Sequence, residues 1–465
     1  MKYILCEPYA LRGYEAGKAP ALVDLSGGDI QTLTERRMKL LRLCDGQTDC
    51  SLAALFYPAI KAGIAEAMER GWIREAGENE RLRPEQAYRE VETPCILAVQ
   101  WSITGKCNAH CRHCFLTEHQ HTLSDLTTAQ VIAVLDHLAE AGVHQVSLTG
   151  GEPLLRMDLP LLLAAMRERN IFVSGLSTNG FLLNREMLAL FGRFGMKPSV
   201  QISFDGVGCH DWMRRVDGAE HMAIDAMEAC RACGIPFTLA MCVHRGNQDR
   251  IMDTVRFAAR MGAEGLRLAQ TGDFGDFSPE NGVQTLAMEE LYQVYLDVLA
   301  GILDEKPDVD IEFAGFVKIN GKQPEKYQII PYLHSCTDLK QNRVCRSVEH
   351  SFYITCDGKV LPCIIVGNTA LEEQCLSLHE HTLAECMRSP AYLSFIRMTA
   401  QGLLESNPKC ADCEYLPYCG CGCRGASMIS KGTLLGIDED RCVFFTRGWG
   451  EKLERILNER VGKRE

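Results

Sequence analysis

The stretch Cys107-Asn-Ala-His-Cys111-Arg-His-Cys114 places three cysteines in the spacing CxxxCxxC. A β-rich segment beginning near Ile96 precedes it, so we expect the three thiols on a loop at the end of a strand. Three thiolates this close together can hold three irons of a 4Fe–4S cluster and leave the fourth iron open to another ligand. Structural zinc sites prefer four ligands with paired CxxC spacing, and the pattern therefore favours an iron–sulfur cluster over zinc.

Around this stretch, from residue 94 to about residue 272, short β-rich segments alternate with amphipathic helical segments. Strands are expected to begin near Ile96, Gln145, Ile171, Ser199, Phe237 and Gly265, and helices to cover residues 129–141 and 219–233. Parallel strands cannot be joined by tight hairpins, whereas helical crossovers can join them. The six repeats therefore predict an α/β fold, with a parallel sheet that forms a partial (β/α)6 barrel.

Three short segments end the second, third and fourth of these strands. They are Gly150-Gly151-Glu152-Pro153, Ser177-Thr178-Asn179-Gly180 and Ser203-Phe204-Asp205-Gly206. They are expected at the same edge of the sheet as the three cysteines, and parallel α/β folds build their sites at that edge. Together with the CxxxCxxC motif, and in this order along about 180 residues, the segments resemble the radical S-adenosylmethionine (radical SAM) enzymes.

The resemblance implies that Cys107, Cys111 and Cys114 ligate the cluster and that S-adenosylmethionine chelates its open iron. An electron from the cluster would cleave the sulfonium, and the resulting radical would abstract a hydrogen atom from the substrate. Contacts to the cofactor are implied for Gly150, Gly151, Glu152, Ser203, Asp205 and Arg214. In that assignment Glu152 accepts from the cofactor ammonium and Arg214 pairs with its carboxylate. His113 departs from the family pattern, which usually has an aromatic residue at this position.

A second array of cysteines lies near the end of the chain, where residues 336–442 carry 12 of the 23 cysteines. The order is Cys345, Gly358, Cys363, then Cys410-x2-Cys413-x5-Cys419-x3-Cys423, and finally Cys442. This spacing resembles the SPASM extension of radical SAM enzymes, which houses two auxiliary 4Fe–4S clusters, for three clusters in all. The competing interpretation of residues 410–423 is a zinc ribbon.

The resemblance implies one auxiliary cluster on Cys410, Cys413, Cys419 and Cys442, and a second on Cys345, Cys363 and Cys423. The fourth ligand of the second cluster stays open between Cys356, Cys336 and an iron without a protein ligand. Most of the remaining cysteines, such as Cys230, Cys233 and Cys242 on apolar faces, are expected to be packing residues.

Residues 1–88 predict a small winged-helix-like unit, followed by the radical SAM core over residues 89–300 and by a linker and SPASM region over residues 301–465. One apolar stripe contains Ile60, Ile64 and Met68, on a helix that should stop near Gly71, and the polar run 75–90 suggests a linker. The unit resembles the domain that captures the leader of a precursor peptide as an added strand at a sheet edge. A DNA-binding winged helix is the alternative, but its recognition region lacks a dense Lys/Arg patch.

Composition excludes several classes of protein. The formal net charge is −12, so we expect no basic nucleic-acid-binding surface. No apolar run reaches the roughly 18 residues of a membrane span, and the N-terminus does not have the pattern of a secretory signal. We therefore predict a cytoplasmic protein whose reduced thiols bind metal, with neither nucleic acid nor membrane among its partners.

A leader-binding unit, a radical SAM core and two auxiliary clusters in one chain resemble the maturases that cross-link ribosomally synthesised precursor peptides. The resemblance implies a precursor peptide as substrate and a flavodoxin or ferredoxin as electron donor. A thioether is the expected bond, because an incompletely ligated auxiliary cluster could bind a substrate thiolate.

Two alternatives stand beside this interpretation. An anaerobic sulfatase-maturating type of enzyme would carry an aspartate directly after the cysteine of G-x4-C, where this chain has Ile364. A non-catalytic metal-binding regulator of DNA would not need the segments at residues 150–153 and 203–206.

Overall fold

The computed structural model describes residues 1–15, 17–116, 125–272, 275–277, 285–333, 343–345 and 347–462. The N-terminal strands are β1 Lys2–Leu5, β2 Tyr9–Tyr14, β3 Ala19–Asp24, β4 Ile30–Thr32, β5 Asp45–Asp49, β6 Ile73–Glu75 and β7 Arg89–Val91, and the helices are α1 Glu35–Arg42, α2 Ser51–Phe56 and α3 Pro58–Glu69. Two sheets result, with the orders β5-β1-β6 and β4-β3-β2-β7. Leu11, Leu22, Leu41 and Trp72 share one apolar core between these elements, as a winged-helix-like unit requires.

Two predictions for this unit need correction. Ile64 is buried as expected, but its buried partner on α3 is Ala67, and Met68 is 42% exposed. The predicted linker at 75–90 is packed against the unit, because the buried Gln86 amide donates to the backbone carbonyls of Leu5, Cys6 and Tyr9. Gln86 is the buried residue of this segment, and its amide has these partners because a buried polar group needs hydrogen bonds.

The six predicted core strands are present and parallel. They are β8 Ala98–Thr104, β9 Gln145–Gly150, β10 Phe172–Thr178, β11 Ser199–Ser203, β12 Phe237–Val243 and β13 Gly265–Gln270. The helices between and after them are α4 Thr128–Glu140, α5 Leu159–Glu168, α6 Arg185–Arg193, α7 His210–Arg214, α8 Ala219–Cys233, α9 Ile251–Met261 and α10 Met288–Glu305. A capping box of Thr127 and Gln130 begins α4, and Gly234 and Gly262 in the left-handed conformation end α8 and α9.

The C-terminal region extends this sheet instead of forming a separate layer. Its strands are β14 Asp310–Phe313, β15 Val317–Asn320, β16 Gln328–Ile329, β17 Ser351–Ile354 and β18 Val360–Leu361. Strand β17 lies parallel to β8, with Ser351 opposite Ala98 and Ile354 opposite Trp101. The pairing brings the residues after β17 to the edge where the CxxxCxxC loop begins.

Short helices follow these strands, and four of them carry a cysteine each: Cys386, Cys410, Cys419 and Cys442. The helices are α11 Leu383–Arg388, α12 Pro390–Ile396, α13 Ala400–Ser406, α14 Pro408–Ala411, α15 Leu416–Cys419, α16 Arg424–Lys431, α17 Glu439–Thr446 and α18 Trp449–Arg460. Helix α18 packs back onto α10, where Trp449 contacts Tyr292 at 5.7 Å between ring centroids. Among the described residues, no helix is both long and apolar enough to cross a lipid bilayer.

Candidate active site

A cavity of about 280 Å³ opens at the carboxyl ends of the parallel strands. Its lining combines the CxxxCxxC loop, the ends of β9 to β12 and two residues of the C-terminal region: Cys107, Ala109, Cys111, His113, Cys114, Phe115, Leu116, Thr149, Gly150, Gly151, Ser177, Thr178, Asn179, Ser203, Arg214, Cys242, Tyr353 and Ile364. The tertiary structure therefore brings together residues that are more than 250 positions apart in the chain.

The three thiols of the motif share one wall of this cavity and have hydrogen-bond donors behind them. The Ala109 N–H lies 3.4 Å from the Cys107 sulfur, and the Arg214 Nη1 lies 3.4 Å from the Cys111 sulfur. Burial raises the pKa of the Cys114 thiol to about 11. Three soft sulfur donors beside a guanidinium fit a cluster that binds thiolates, because a nearby cation and N–H donors stabilise negative charge on sulfur.

Glu152 is fully buried, and both of its carboxylate oxygens accept hydrogen bonds from the chain itself. The donors are the Thr178 hydroxyl at 2.9 Å, the Asn179 N–H at 2.8 Å and the Leu154 N–H at 3.1 Å. Burial raises its pKa to about 7, against the opposing effect of these hydrogen bonds. Glu152 thus ties the end of β9 to the end of β10, and its predicted contact with the cofactor ammonium stays a prediction.

The two glycines before Glu152 are required by the chain's own backbone. A Cβ on Gly151 would lie 2.1 Å from the Lys106 carbonyl oxygen, and one on Gly150, whose φ is +133°, would lie 2.3 Å from the Thr104 carbonyl oxygen. The N–H groups of Gly151 and Glu152 donate to these same two carbonyls, each at 2.8 Å. The glycines therefore let the β9 loop close onto the segment that begins the cysteine loop, which is a different reason from the predicted approach to the cofactor.

Ser203 lines the cavity, whereas Asp205 is fully buried behind it, so the structure separates these two predicted cofactor contacts. The Asp205 carboxylate lies 2.8 Å from the Arg214 Nη2 and 3.6 Å from the His113 Nε2. Burial alone would raise the pKa of Asp205, but Arg214 and His113 hold it well below its usual range. Asp205 is therefore placed to position Arg214, and its predicted contact with the cofactor stays a prediction.

The ligand atoms of His113, Asp205 and Cys242 lie within 4.8 Å of one another. Such a trio can hold a metal ion, but the Arg214 guanidinium already neutralises the carboxylate. A second cation close to this guanidinium is electrostatically unfavourable. We therefore interpret the trio as a hydrogen-bonded network behind the cavity.

The structure places the C-terminal cysteines in two groups. Cys442 interacts electrostatically with Cys410, Cys413 and Cys419, while Cys363 interacts with Cys345 and Cys423. Burial raises the pKa of Cys419 to about 12 and that of Cys363 to about 11. The grouping is compatible with the two ligand sets that the resemblance implies, and that assignment stays a prediction.

The surroundings of Cys356 do not identify it as the fourth ligand of the Cys363 group. Its thiol is buried, and the charged groups that raise its pKa most are the carboxylates of Asp357 and Asp125 rather than the thiols of Cys345, Cys363 or Cys423. Cys336 lies outside the described residues.

A buried aspartate organises the loop between the two cysteine groups. Asp438 begins α17, where its carboxylate accepts from the Arg441 N–H, and it also accepts from the Cys423 N–H at 2.7 Å. A Cβ on Gly422 would lie 2.4 Å from the Asp438 Cβ, so only glycine allows this close approach. No pattern in the sequence indicated this contact.

Other cavity residues were also missed from the sequence. Asn179 lies in the segment at residues 177–180, but no role was predicted for it; its Nδ2 lies 2.7 Å from the Asn108 Oδ1 and 3.8 Å from the Cys107 sulfur.

The prediction for Cys242 was wrong. It was expected to be a packing residue but lines the cavity, because it lies near the end of β12 at the active edge. Cys230 is a buried packing residue as expected, whereas Cys233 is exposed. Tyr353 and Ile364 carried no local signal, since only the pairing of β17 with β8 places them here.

Comparison with known families agrees with this arrangement. The radical SAM superfamily matches residues 101–258, and the SPASM iron–sulfur cluster-binding domain matches residues 345–414. The chain therefore contains a radical SAM domain. More particularly, a SPASM iron–sulfur cluster-binding domain follows that domain along the chain.

Two curated relatives differ in the activities for which they are named. PqqA peptide cyclase of Gluconobacter oxydans is 35% identical over 176 residues, which is 37% of this chain and 49% of that protein. This chain therefore spans about half the length of that relative. The AdoMet-dependent heme synthase of Oleidesulfovibrio alaskensis is 25% identical over 364 residues, 76% of this chain and 89% of that protein.

Solved structures share the fold at low identity. Streptococcus suis SuiB bound to precursor peptide SuiA has a TM-score of 0.67 at 16% identity, covering 95% of this chain and 99% of that one. The structure of anSMEcpe with bound AdoMet has a TM-score of 0.60 at 16% identity, covering 78% of this chain and 98% of that one. The likeness to SuiB therefore includes almost the whole chain.

Proposed function

We propose that this enzyme is a peptide maturase that installs a cross-link, most specifically a thioether, in a ribosomally synthesised precursor peptide. The observation that carries the proposal is that the N-terminal unit is fixed to the radical SAM core by direct hydrogen bonds. The Tyr14 hydroxyl donates to the Gly142 carbonyl at 2.8 Å, and the Gln145 amide donates to Asp29 at 2.7 Å. A leader bound to this unit would be held at a fixed position relative to the barrel.

A groove between α1 and α3 offers a place for the leader. Its floor is apolar, with Leu40 and Ile60, and Gly63 lets the two helices approach, since a Cβ there would lie 2.7 Å from a Leu40 methyl carbon. An Arg37–Glu66 ion pair at 2.6 Å crosses its rim. Strand β4, at the edge of its sheet, provides backbone groups that an added strand can pair with.

In the cavity, Cys107, Cys111 and Cys114 would hold the 4Fe–4S cluster, and Arg214 would bind the carboxylate of S-adenosylmethionine. When bound there, the cluster and S-adenosylmethionine would supply the one-electron chemistry that removes a hydrogen atom from the substrate. Tyr353 and Ile364 extend the wall of the cavity toward the Cys363 group.

The position of the Cys363 group next to the cavity supports a thioether as the bond formed. Ile364 lines the cavity directly beside Cys363, which belongs to the group with three assigned thiols. An iron there that lacks a fourth protein ligand would accept a substrate thiolate. The sulfatase-maturating alternative places an aspartate at this position, and the aliphatic side chain of Ile364 offers no carboxylate for that role.

The test uses the anaerobically reconstituted enzyme and the precursor peptide encoded beside its gene. Wild-type enzyme should hold about 10 to 12 irons and produce 5′-deoxyadenosine together with a peptide that has lost two hydrogens. Replacing Cys107, Cys111 and Cys114 with alanine should abolish 5′-deoxyadenosine. A heme precursor converted in place of the peptide would instead place the chain with the heme synthases.

Variants of the groove test the role of the N-terminal unit. Ile60→Asp should weaken precursor binding by about tenfold or more, because it puts a charge on the apolar floor, and should leave peptide-independent cofactor cleavage unchanged. Met68→Asp on the same helix is the matched control and should bind normally, since Met68 does not line the groove. Deleting residues 1–88 should likewise weaken precursor binding, and unchanged affinity in both variants would remove the proposed role.

A further inference from the structure

Trp212 stands apart from the other tryptophans of the chain. The four tryptophans include Trp72, Trp101 and Trp449, which are at most 5% exposed, whereas Trp212 is 45% exposed. Its ring is held in place, stacked at 5.3 Å on His244 and set edge-on at 6.4 Å to Phe277. A large aromatic ring that is fixed on one side and open on the other is typical of a protein-binding surface.

This ring lies against the outside of the cluster-binding loop. The Arg112 guanidinium, one residue after Cys111, sits 4.5 Å from the Trp212 ring centroid, and its Nε donates to the Trp212 carbonyl at 3.0 Å. The Arg112 N–H donates to the Met213 carbonyl at 2.9 Å. Cys111 itself faces the cavity, so the loop separates the cavity from this outer face.

Among the described residues, two arginines and one aspartate lie together beside this ring. Arg112 lies 2.6 Å from the Asp276 carboxylate, and Arg215 also pairs with that carboxylate while staying 43% exposed. Two guanidinium groups thus share one carboxylate on a chain whose formal net charge is −12. A local positive patch on an acidic protein attracts an acidic partner and speeds its association.

We infer that Arg112, Trp212 and Arg215 form the docking surface for an acidic one-electron carrier of the flavodoxin class. One electron passes from the flavin hydroquinone, which becomes the semiquinone, to the oxidised cluster held by Cys107, Cys111 and Cys114. The surface is suited to this because the exposed side chains of Trp212 and Arg215 lie next to Arg112, which belongs to the loop that holds those cysteines. The inference rests on the iron–sulfur chemistry of the proposed function and not on the identity of its peptide.

The test measures reduction of the reconstituted, iron-loaded enzyme by flavodoxin hydroquinone in an anaerobic stopped-flow instrument. At low ionic strength, Arg215→Gln should lower the second-order rate constant by about threefold to tenfold, and added salt should reduce the difference, because steering by exposed charge is screened. Reduction by dithionite, a small reagent that needs no docking surface, should proceed at the wild-type rate. Arg215→Lys keeps the charge and should keep most of the flavodoxin rate.

Arg256→Gln is the matched control. Arg256 is 44% exposed and pairs with Glu305 on the outer helices. The substitution therefore removes the same charge at a place away from the cluster loop. It should be reduced by flavodoxin as fast as wild type. Equal flavodoxin rates for Arg215→Gln and wild type at low salt would overturn the inference.

The inference would also be overturned if Arg215→Gln lost precursor affinity but kept the wild-type flavodoxin rate, since the surface would then bind peptide. A flavodoxin rate that depends on Arg215 in an enzyme that leaves the precursor unmodified would support the docking surface and reject the proposed function.

Discussion

The Arg214 guanidinium and the Asp205 carboxylate form a buried ion pair, with Nη2 2.8 Å from Oδ2, and the same guanidinium reaches the Cys111 sulfur at 3.4 Å. Asp205 is in turn held from behind, because its Oδ1 accepts from the Cys242 N–H at 3.2 Å. The carboxylate thus fixes the direction in which Arg214 enters the cavity. This arrangement makes Asp205 a positioning residue for Arg214.

Asp205→Asn should strongly destabilise the enzyme. The change leaves the Arg214 guanidinium buried without a charged partner, and breaking such a pair costs about 3–5 kcal/mol. The denaturant midpoint of unfolding measures the loss. Glu305→Gln, which breaks an exposed pair with Arg256, is the control and should shift the midpoint far less. Equal shifts in the two variants would show that Asp205 has no special role.

Glu152→Gln should change how stability depends on pH. Because burial raises the folded-state pKa of Glu152 to about 7, above its ordinary 4.5, the folded protein binds this proton more tightly than the unfolded chain does. The stabilising contribution is fully present below pH 4.5 and is lost as pH rises to about 7. Unfolding midpoints between pH 5 and 8 should therefore fall less steeply in the variant than in wild type. If the unfolding midpoints of variant and wild type change with pH in parallel, a group other than Glu152 causes the pH dependence.

Gly151→Ala should impair loading of the radical SAM cluster. Its Cβ would lie 2.1 Å from the Lys106 carbonyl oxygen, so the β9 loop must move away from the segment that leads into Cys107. Iron content and the cluster absorbance after reconstitution should both drop. Gly192→Ala on α6, where nothing lies within 4 Å of the new Cβ, should load normally. Full loading of Gly151→Ala would mean that the loop tolerates the shift.

Asp438→Ala should reduce occupancy of the auxiliary clusters. The substitution removes the acceptor of the Cys423 N–H and the cap of α17, the helix that carries Cys442. Because Cys423 and Cys442 belong to different cysteine groups, we expect iron content to fall by about one to two clusters, or about four to eight irons, while the radical SAM cluster still forms. Glu439→Gln alters the exposed neighbouring carboxylate, which pairs with Lys431, and should hold the wild-type amount of iron.

The local sequence pattern was enough to predict the strands of the core. The strands expected near Gln145, Ser199, Phe237 and Gly265 begin at those residues, because each combines an apolar run with a polar or glycine boundary. The prediction for Met68 was wrong because helical periodicity alone does not say which side of a short helix meets the core. The linker prediction was wrong because composition does not reveal that Gln86 satisfies buried carbonyls.

By itself, the sequence supplied the motif that resembles the radical SAM family, since the spacing of Cys107, Cys111 and Cys114 is a short-range property of one loop. Only the tertiary structure decided which groups surround those thiols. It turned Asp205 toward Arg214 instead of the cavity, and it brought Ile364 to the active edge by pairing β17 with β8. The physical reason is that burial and strand pairing depend on contacts between residues distant along the chain.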